Sequence, residues 1–272
     1  MVRNMKNISY SLTYRLFDYK MTLKTIQKIR LRGLDMHDYL KETVMLDYSA
    51  DSIQNLINNR GWKNLDEKGK IVSAYNFVKD EILFGYNISD SVPATKVLAD
   101  GYGQCNTKGT LFMALLRALG IECRVHGFTI DKILQKGAMT GFVYRNAPRD
   151  IFHSWVEVRF EGKWYNLEGF ILDKTYLDGL HKKFSPKADG SFIGYGVAVK
   201  DFANPTIYFD CCDTYIQSEG ITQDFGVYDC PDDLLKEHSQ SIKGLKKFAY
   251  EHLGRKLMNK NVAKVRALAK VK

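Results

Sequence analysis

An α+β fold is predicted, on three observations. A helix that is almost wholly apolar in its second half occupies about residues 104–119, in the middle of the chain. A strand follows at 121–130. A further strand at 152–160 turns back through Glu161-Gly162 into a return strand at 163–169. One helix followed by antiparallel strands points to a central helix packed on an antiparallel sheet.

Each element has its own local reason. The stretch from Ser9 to Tyr48 mixes apolar and basic residues and reads as helical in part. Asp51 to Ile57 is a short helix. Asp66 caps a longer one, in which Ile71, Ala74, Tyr75, Val78 and Ile82 recur at helical spacing. A loop with Pro93 and a short apolar turn at Val97-Leu98-Ala99 lead to Gly101-Tyr102-Gly103. In the central helix Leu111, Leu115 and Ala118 make one apolar stripe, with Phe112, Leu116 and Leu119 beside it. Gly120 stands where a C-terminal cap glycine belongs. Val125, Gly127 and Thr129 alternate along the next strand. The long connection that follows, rich in Gly, Lys and Asn, is read as functional or mobile. Glu161-Gly162 is a two-residue hairpin turn. Cys230-Pro231-Asp232-Asp233 is a loop that ends in a helix start.

The 272 residues, 45% of them hydrophobic, suffice for one large core with appendages. We expect three regions: an N-terminal helical segment packing on the core (1–64), a core (65–235) and a basic helical tail (236–272). No run reaches the roughly 18–20 apolar residues of a membrane-spanning helix, and the polar start, Met1 to Asn7, lacks a secretory apolar stretch. A cytoplasmic location is the expectation. The five cysteines are odd in number and form no CxxC pair, so no metal site or cofactor is expected. The net charge of +9 resides in the tail: residues 236–272 hold 11 Lys+Arg and 2 Asp+Glu, and the remainder is neutral. Leu253, Leu257, Val262, Val265 and Leu268 make the tail an amphipathic helix, either packed on the core or offered to an acidic partner.

Chemistry is concentrated around one cysteine. A thiol nucleophile needs a lowered pKa, a base in reach, and a group that fixes the base's tautomer. Cys105 lies at a Gly-rich helix start, where free N–H groups and the helix dipole favour a thiolate and an oxyanion. His153 opens a strand and shares a face with Trp155 and Glu157. If Phe160 pairs with Lys163, Trp155 pairs with Glu168 and His153 with Phe170. Glu168 then stands diagonally from His153, about 7–8 Å away between backbones. From there a carboxylate can orient the imidazole. Gly103, Gln104 and Trp155 flank these residues and are taken as substrate-binding.

The runs GYGQCNTKGTLFMALLRALGIECRVHGF and HSWVEVRFEGKWYNLE resemble the transglutaminase-like superfamily. The resemblance covers about Leu65 to Asp173 and implies a papain-like core. It implies acyl transfer or hydrolysis at peptide or amide bonds through a Cys105 thioester, with His153 as base and then acid. The family's third member is usually Asp, where this chain has Glu168; Asn166 and Asp173 are the nearby substitutes. The family's oxyanion hole pairs the nucleophile's N–H with an upstream side chain, for which Tyr86 is the candidate. The implied partner is a peptide, protein or other amide substrate. A peptide N-glycanase-like amidase is one alternative, though the paired CxxC motifs usual near that core are missing. A non-catalytic binding scaffold on the same fold is another.

Overall fold

The computed structural model describes residues 38–185, 187–238 and 250–270. The expected helix before residue 38, and the tail between residues 239 and 249, lie outside them. Tyr39–Lys272 forms one unit.

Helix α1 spans Asp51–Asn59. Helix α2, Glu67–Asn76, starts as predicted: the Asp66 carboxylate accepts from Gly69 N at 2.7 Å. It runs on into a π-type turn at Phe77–Glu81. The short strand β1 (Leu83–Phe84) pairs in parallel with β2 (Tyr102–Gly103). Between them the expected apolar turn is in fact helix α3, Ala94–Asp100. Pro93 stands at its N-cap, and Gly101 closes it in the left-handed region at φ 68°.

The central helix, α4, spans Cys105–Ala118 and is buried from Asn106 to Arg117. Its end is a Schellman motif, with Ile121 N donating to Leu116 O (2.9 Å) and Gly120 N to Arg117 O (3.0 Å). Gly120, at φ 77°, supplies the left-handed residue. Buried Arg117 donates to the carbonyl of Cys123, tying the helix end to the next strand.

That strand is β3, Cys123–Asp131. The connection after it holds a 3-10 turn at Lys132–Gln135 and helix α5 at Gly141–Asn146, so it is ordered. Strands β4 (Asp150–Phe160) and β5 (Lys163–Leu167) form the predicted hairpin, with Phe160 opposite Lys163. With β8 (Ile221–Tyr228) they complete an antiparallel sheet in the order β5-β4-β3-β8. Helix α4 lies on this sheet: a Cβ added at Gly109 would stand 3.5 Å from a Val156 methyl.

The ladder ends one residue earlier than predicted, at Val156 opposite Leu167. The pairs Trp155–Glu168 and His153–Phe170 do not form. Glu168 N instead donates to Thr214 O at 2.9 Å, and the chain turns, with Ile171 N bonded to Glu168 O. Helix α6, Lys174–Lys183, then begins under an Asp173 cap. The hairpin β6 (Phe192–Gly194) and β7 (Val197–Val199) follows. Helix α7, Pro231–Glu237, starts where the sequence indicated, with proline in its first turn.

The tail forms a π-type turn, Tyr250–Gly254, and helix α8, Arg255–Leu268. Its buried stripe is Met258, Val262 and Val265. Leu253 and Leu257, expected in that stripe, are exposed (59% and 43%), because the face that docks is rotated towards α6. Contact there is close: a Cβ at Gly179 would fall 2.1 Å from Val265 O. Arg266 forms an ion pair with the buried Asp173 at 2.6 Å, and its charge holds the Asp173 carboxyl down at about 2 despite burial. Lys256, Lys260 and Lys264 lie along the exposed side. Among the described residues no helix is long and apolar enough to cross a membrane.

Candidate active site

Cys105 is the first residue of α4 and is partly exposed. The helix start is fixed by side chains on both sides of it. Thr107 Oγ1 accepts from Gln104 N (3.0 Å) and donates to Asn87 Oδ1 (2.6 Å). Gln104 Oε1 accepts from Asn87 N (2.8 Å), while its Nε2 donates to Asp90 Oδ1 (2.9 Å). Both ends of the Gln104 amide, taken from the sequence as substrate-binding, are thus occupied by the loop at 87–90. Gly103 is needed for packing: a Cβ there would meet Thr107 Oγ1 at 2.6 Å and Lys108 Cγ at 3.0 Å.

His153 sits in β4 with no exposed surface, edge-on to Phe128 at 4.8 Å between centroids. Its Nε2 lies 2.7 Å from Glu168 Oε1. Glu168 is also fully buried, and its Oε2 accepts from Ile216 N and Gln217 N at 2.8 Å each. Fixed main-chain donors thus hold the carboxylate on the ring. Nδ1 makes no formed hydrogen bond. Burial opposes charge on this imidazole, but the nearby Cys105 thiolate and the Glu168 carboxylate outweigh it, and the His153 pKa is raised to about 10. The structure therefore brings Cys105, His153 and Glu168 together. The substitutes Asn166 and Asp173 are engaged elsewhere, with Tyr215 and with Arg266.

Trp155 lies two residues along the same strand face, buried against His126, Phe128 and Tyr215. Tyr86 is buried, and its hydroxyl donates to Gln135 Oε1 at 2.7 Å. Burial pushes that phenol well above its ordinary value, and the Cys105 charge adds to the shift. Three neighbours had no signal in the sequence. Asp90 lies in an aperiodic loop, and burial raises its carboxyl although the Gln104 and Asn106 amides and the His153 charge oppose the shift. Gln135 and Tyr250 arrive from distant parts of the chain. Among the described residues no group of three or more His, Cys, Asp or Glu side chains is placed to hold a metal ion.

Residues 57–169 match the profile of the transglutaminase-like superfamily. That segment is a transglutaminase-like core. The match contains Cys105, His153 and Glu168, and it stops at the turn where the chain leaves β5. No curated protein matches the chain. Two solved structures are similar to it. One, described as a "putative cysteine protease" from Cytophaga hutchinsonii, is 20% identical with a TM-score of 0.38, over 51% of this chain and 43% of that one. The other, red sea bream transglutaminase, is 17% identical with a TM-score of 0.27, over 78% of this chain and 31% of that one. The chain thus spans less than half the length of either.

Glu168→Gln is expected to slow turnover, with a loss roughly 100-fold smaller than that from removing the nucleophile, because the orienting group is not consumed in the reaction. Steady-state kinetics on both variants check this. A silent Glu168→Gln beside a severe Asp173→Asn would move the third role to Asp173.

Proposed function

We propose that the protein is a thiol enzyme that hydrolyses or transfers acyl groups at amide bonds, with Cys105 as nucleophile, His153 as acid and base, and Glu168 as the orienting carboxylate. The observation that carries this reading is the buried contact of 2.7 Å between His153 Nε2 and Glu168 Oε1, with Nδ1 left without a formed bond. The carboxylate fixes the ring and favours its charged form, which in turn stabilises a thiolate at the helix start.

In the reaction the Cys105 thiolate adds to the amide carbonyl. The developing oxyanion meets the first N–H groups of α4, and the Tyr86 hydroxyl stands nearby as a second donor once it is released from Gln135. His153 passes a proton to the leaving amine, and a thioester remains. Water or an amine then attacks the thioester, with His153 as general base. Which of the two prevails depends on access to the thioester. All five cysteines are free, which suits the reducing cytoplasm. The exposed Lys256, Lys260 and Lys264 are the surface that an acidic partner would meet.

Iodoacetamide at neutral pH tests the nucleophile. We expect Cys105 to be alkylated at least about 10-fold faster than the exposed Cys211 and Cys212, as read by peptide mass spectrometry. Equal rates at all three would remove the basis for an activated thiol.

A further inference from the structure

We propose that helix α8 and the turn before it form a strap that closes one end of the substrate groove at Cys105, with Tyr250 as the end wall. On this proposal acyl donors are small amides or chain ends, not segments inside a folded protein. The inference rests on the reading of Cys105 as nucleophile and adds the class of substrate.

The first support is where the polar side chains of the strap go. A helix that docks only through Met258, Val262 and Val265 has no need of hydrogen bonds around the active-site rim. This one makes several. Asn259 clasps Tyr86 on both sides, its Oδ1 accepting from Tyr86 N (2.7 Å) and its Nδ2 donating to Tyr86 O (3.1 Å). Tyr250 OH donates to Asn87 O at 3.2 Å, and Arg255 donates to Tyr102 OH at 3.2 Å. Asn261 reaches Ala138 O at 3.1 Å. Tyr86, Asn87 and Tyr102 belong to the segments that lead into α4, and Asn87 itself contacts Gln104 and Thr107, on either side of the nucleophile.

The second support is the position of the Tyr250 side chain. It is half-buried and packs against the same apolar core as Cys105. Burial raises its phenol, and the charges of Asp90 and Cys105 add to the shift. Bulk next to the thiol on one side leaves entry from the other.

The third support is the open space elsewhere. A surface cavity of about 310 Å³, between Leu177, His181, Pro205 and Tyr208, does not reach Cys105, His153 or Glu168. The strap also lies beyond residue 169, outside the segment that matches the superfamily.

The test compares a small and a bulky thiol reagent on the intact chain, read at Cys105 by peptide mass spectrometry. Iodoacetamide should react readily, and fluorescein-5-maleimide at least about 10-fold more slowly than with a free thiol peptide. Tyr250→Ala and Asn259→Ala should each raise the maleimide rate by about 10-fold while changing the iodoacetamide rate by less than about 3-fold. Tyr250→Trp should slow the maleimide further. Labelling of the buried Cys123 reports unfolding in any variant. The parent's own size selectivity needs no substitution, so it decides the matter if the variants unfold. Fast iodoacetamide reaction with no size discrimination in the parent overturns the strap alone, as does an equal rise of both rates in the folded variants. A Cys105 that resists iodoacetamide overturns the nucleophile reading, and the strap with it.

Discussion

Cys105→Ser is expected to lower turnover of any substrate by roughly 10⁴-fold or more, with the fold unchanged. The substitution keeps the volume and replaces only the sulfur. A hydroxyl at that place is far harder to ionise, so the helix start and the imidazole no longer yield a nucleophile at neutral pH. His153→Gln should be as severe, because an amide can donate towards Glu168 but cannot carry a proton to and from the reacting atoms. His153→Ala is the poorer variant. It strands the Glu168 Oε1 charge in the interior, a loss that costs about 3–5 kcal/mol in comparable buried pairs, and activity and stability would fall together. The parent should also show a plateau in rate from neutral pH towards about 10, where the His153 imidazolium gives up its proton. Turnover retained by Cys105→Ser, or an unchanged pH profile in a slow His153→Gln enzyme, would contradict the assignment.

Raising the pH from 7 to 10 is expected to stabilise the folded chain relative to a Lys108→Met variant. Lys108 is fully buried one turn into α4, donating to Ile171 O (2.9 Å) and Lys79 O (3.2 Å). Burial lowers its pKa to about 7 from 10.5, although Asp173 and Asp80 pull the other way. Between those two values the unfolded chain holds a proton on this amine and the folded chain does not. Unfolding therefore takes up a proton, and stability rises with pH across that window. The separation corresponds to something on the order of 4 kcal/mol when complete. Below pH 7 the folded chain carries the buried ammonium and the full penalty is present. Lys108→Met removes the titration and leaves every other group in place. Urea denaturation of both proteins at pH 7, 8, 9 and 10 gives the two slopes, and parallel curves would show that Lys108 does not titrate in this range.

The parts legible in the sequence were those set by neighbours along the chain. Apolar spacing in α4, the cap at Gly120 and the turn at Glu161-Gly162 are local, and the sequence reading gave the hairpin register correctly as far as Leu167. Helix α3 was hidden because seven residues behind a proline carry too few apolar positions to show a period. The last step of the hairpin was misread because Thr214, 46 residues further on, captures the Glu168 N–H. Glu168 still reaches His153, by leaving the ladder and not by pairing in it. Of the residues around the site, Gln104 and Gly103 drew notice for standing beside Cys105, yet each is explained by packing. Asp90, Gln135 and Tyr250 are brought in by tertiary contacts that no spacing rule encodes.

The grip of Ile216 N and Gln217 N on Glu168 Oε2 has a consequence for how this chain can vary. Main-chain donors are common to every amino acid except proline. The anchor of the carboxylate is therefore insulated from substitution at 216 and 217, as long as the backbone path is kept. Evolutionary drift can rewrite both side chains without loosening the charge beneath the imidazole. A comparison of relatives that scores residue identity alone would pass over the two positions on which Glu168 leans.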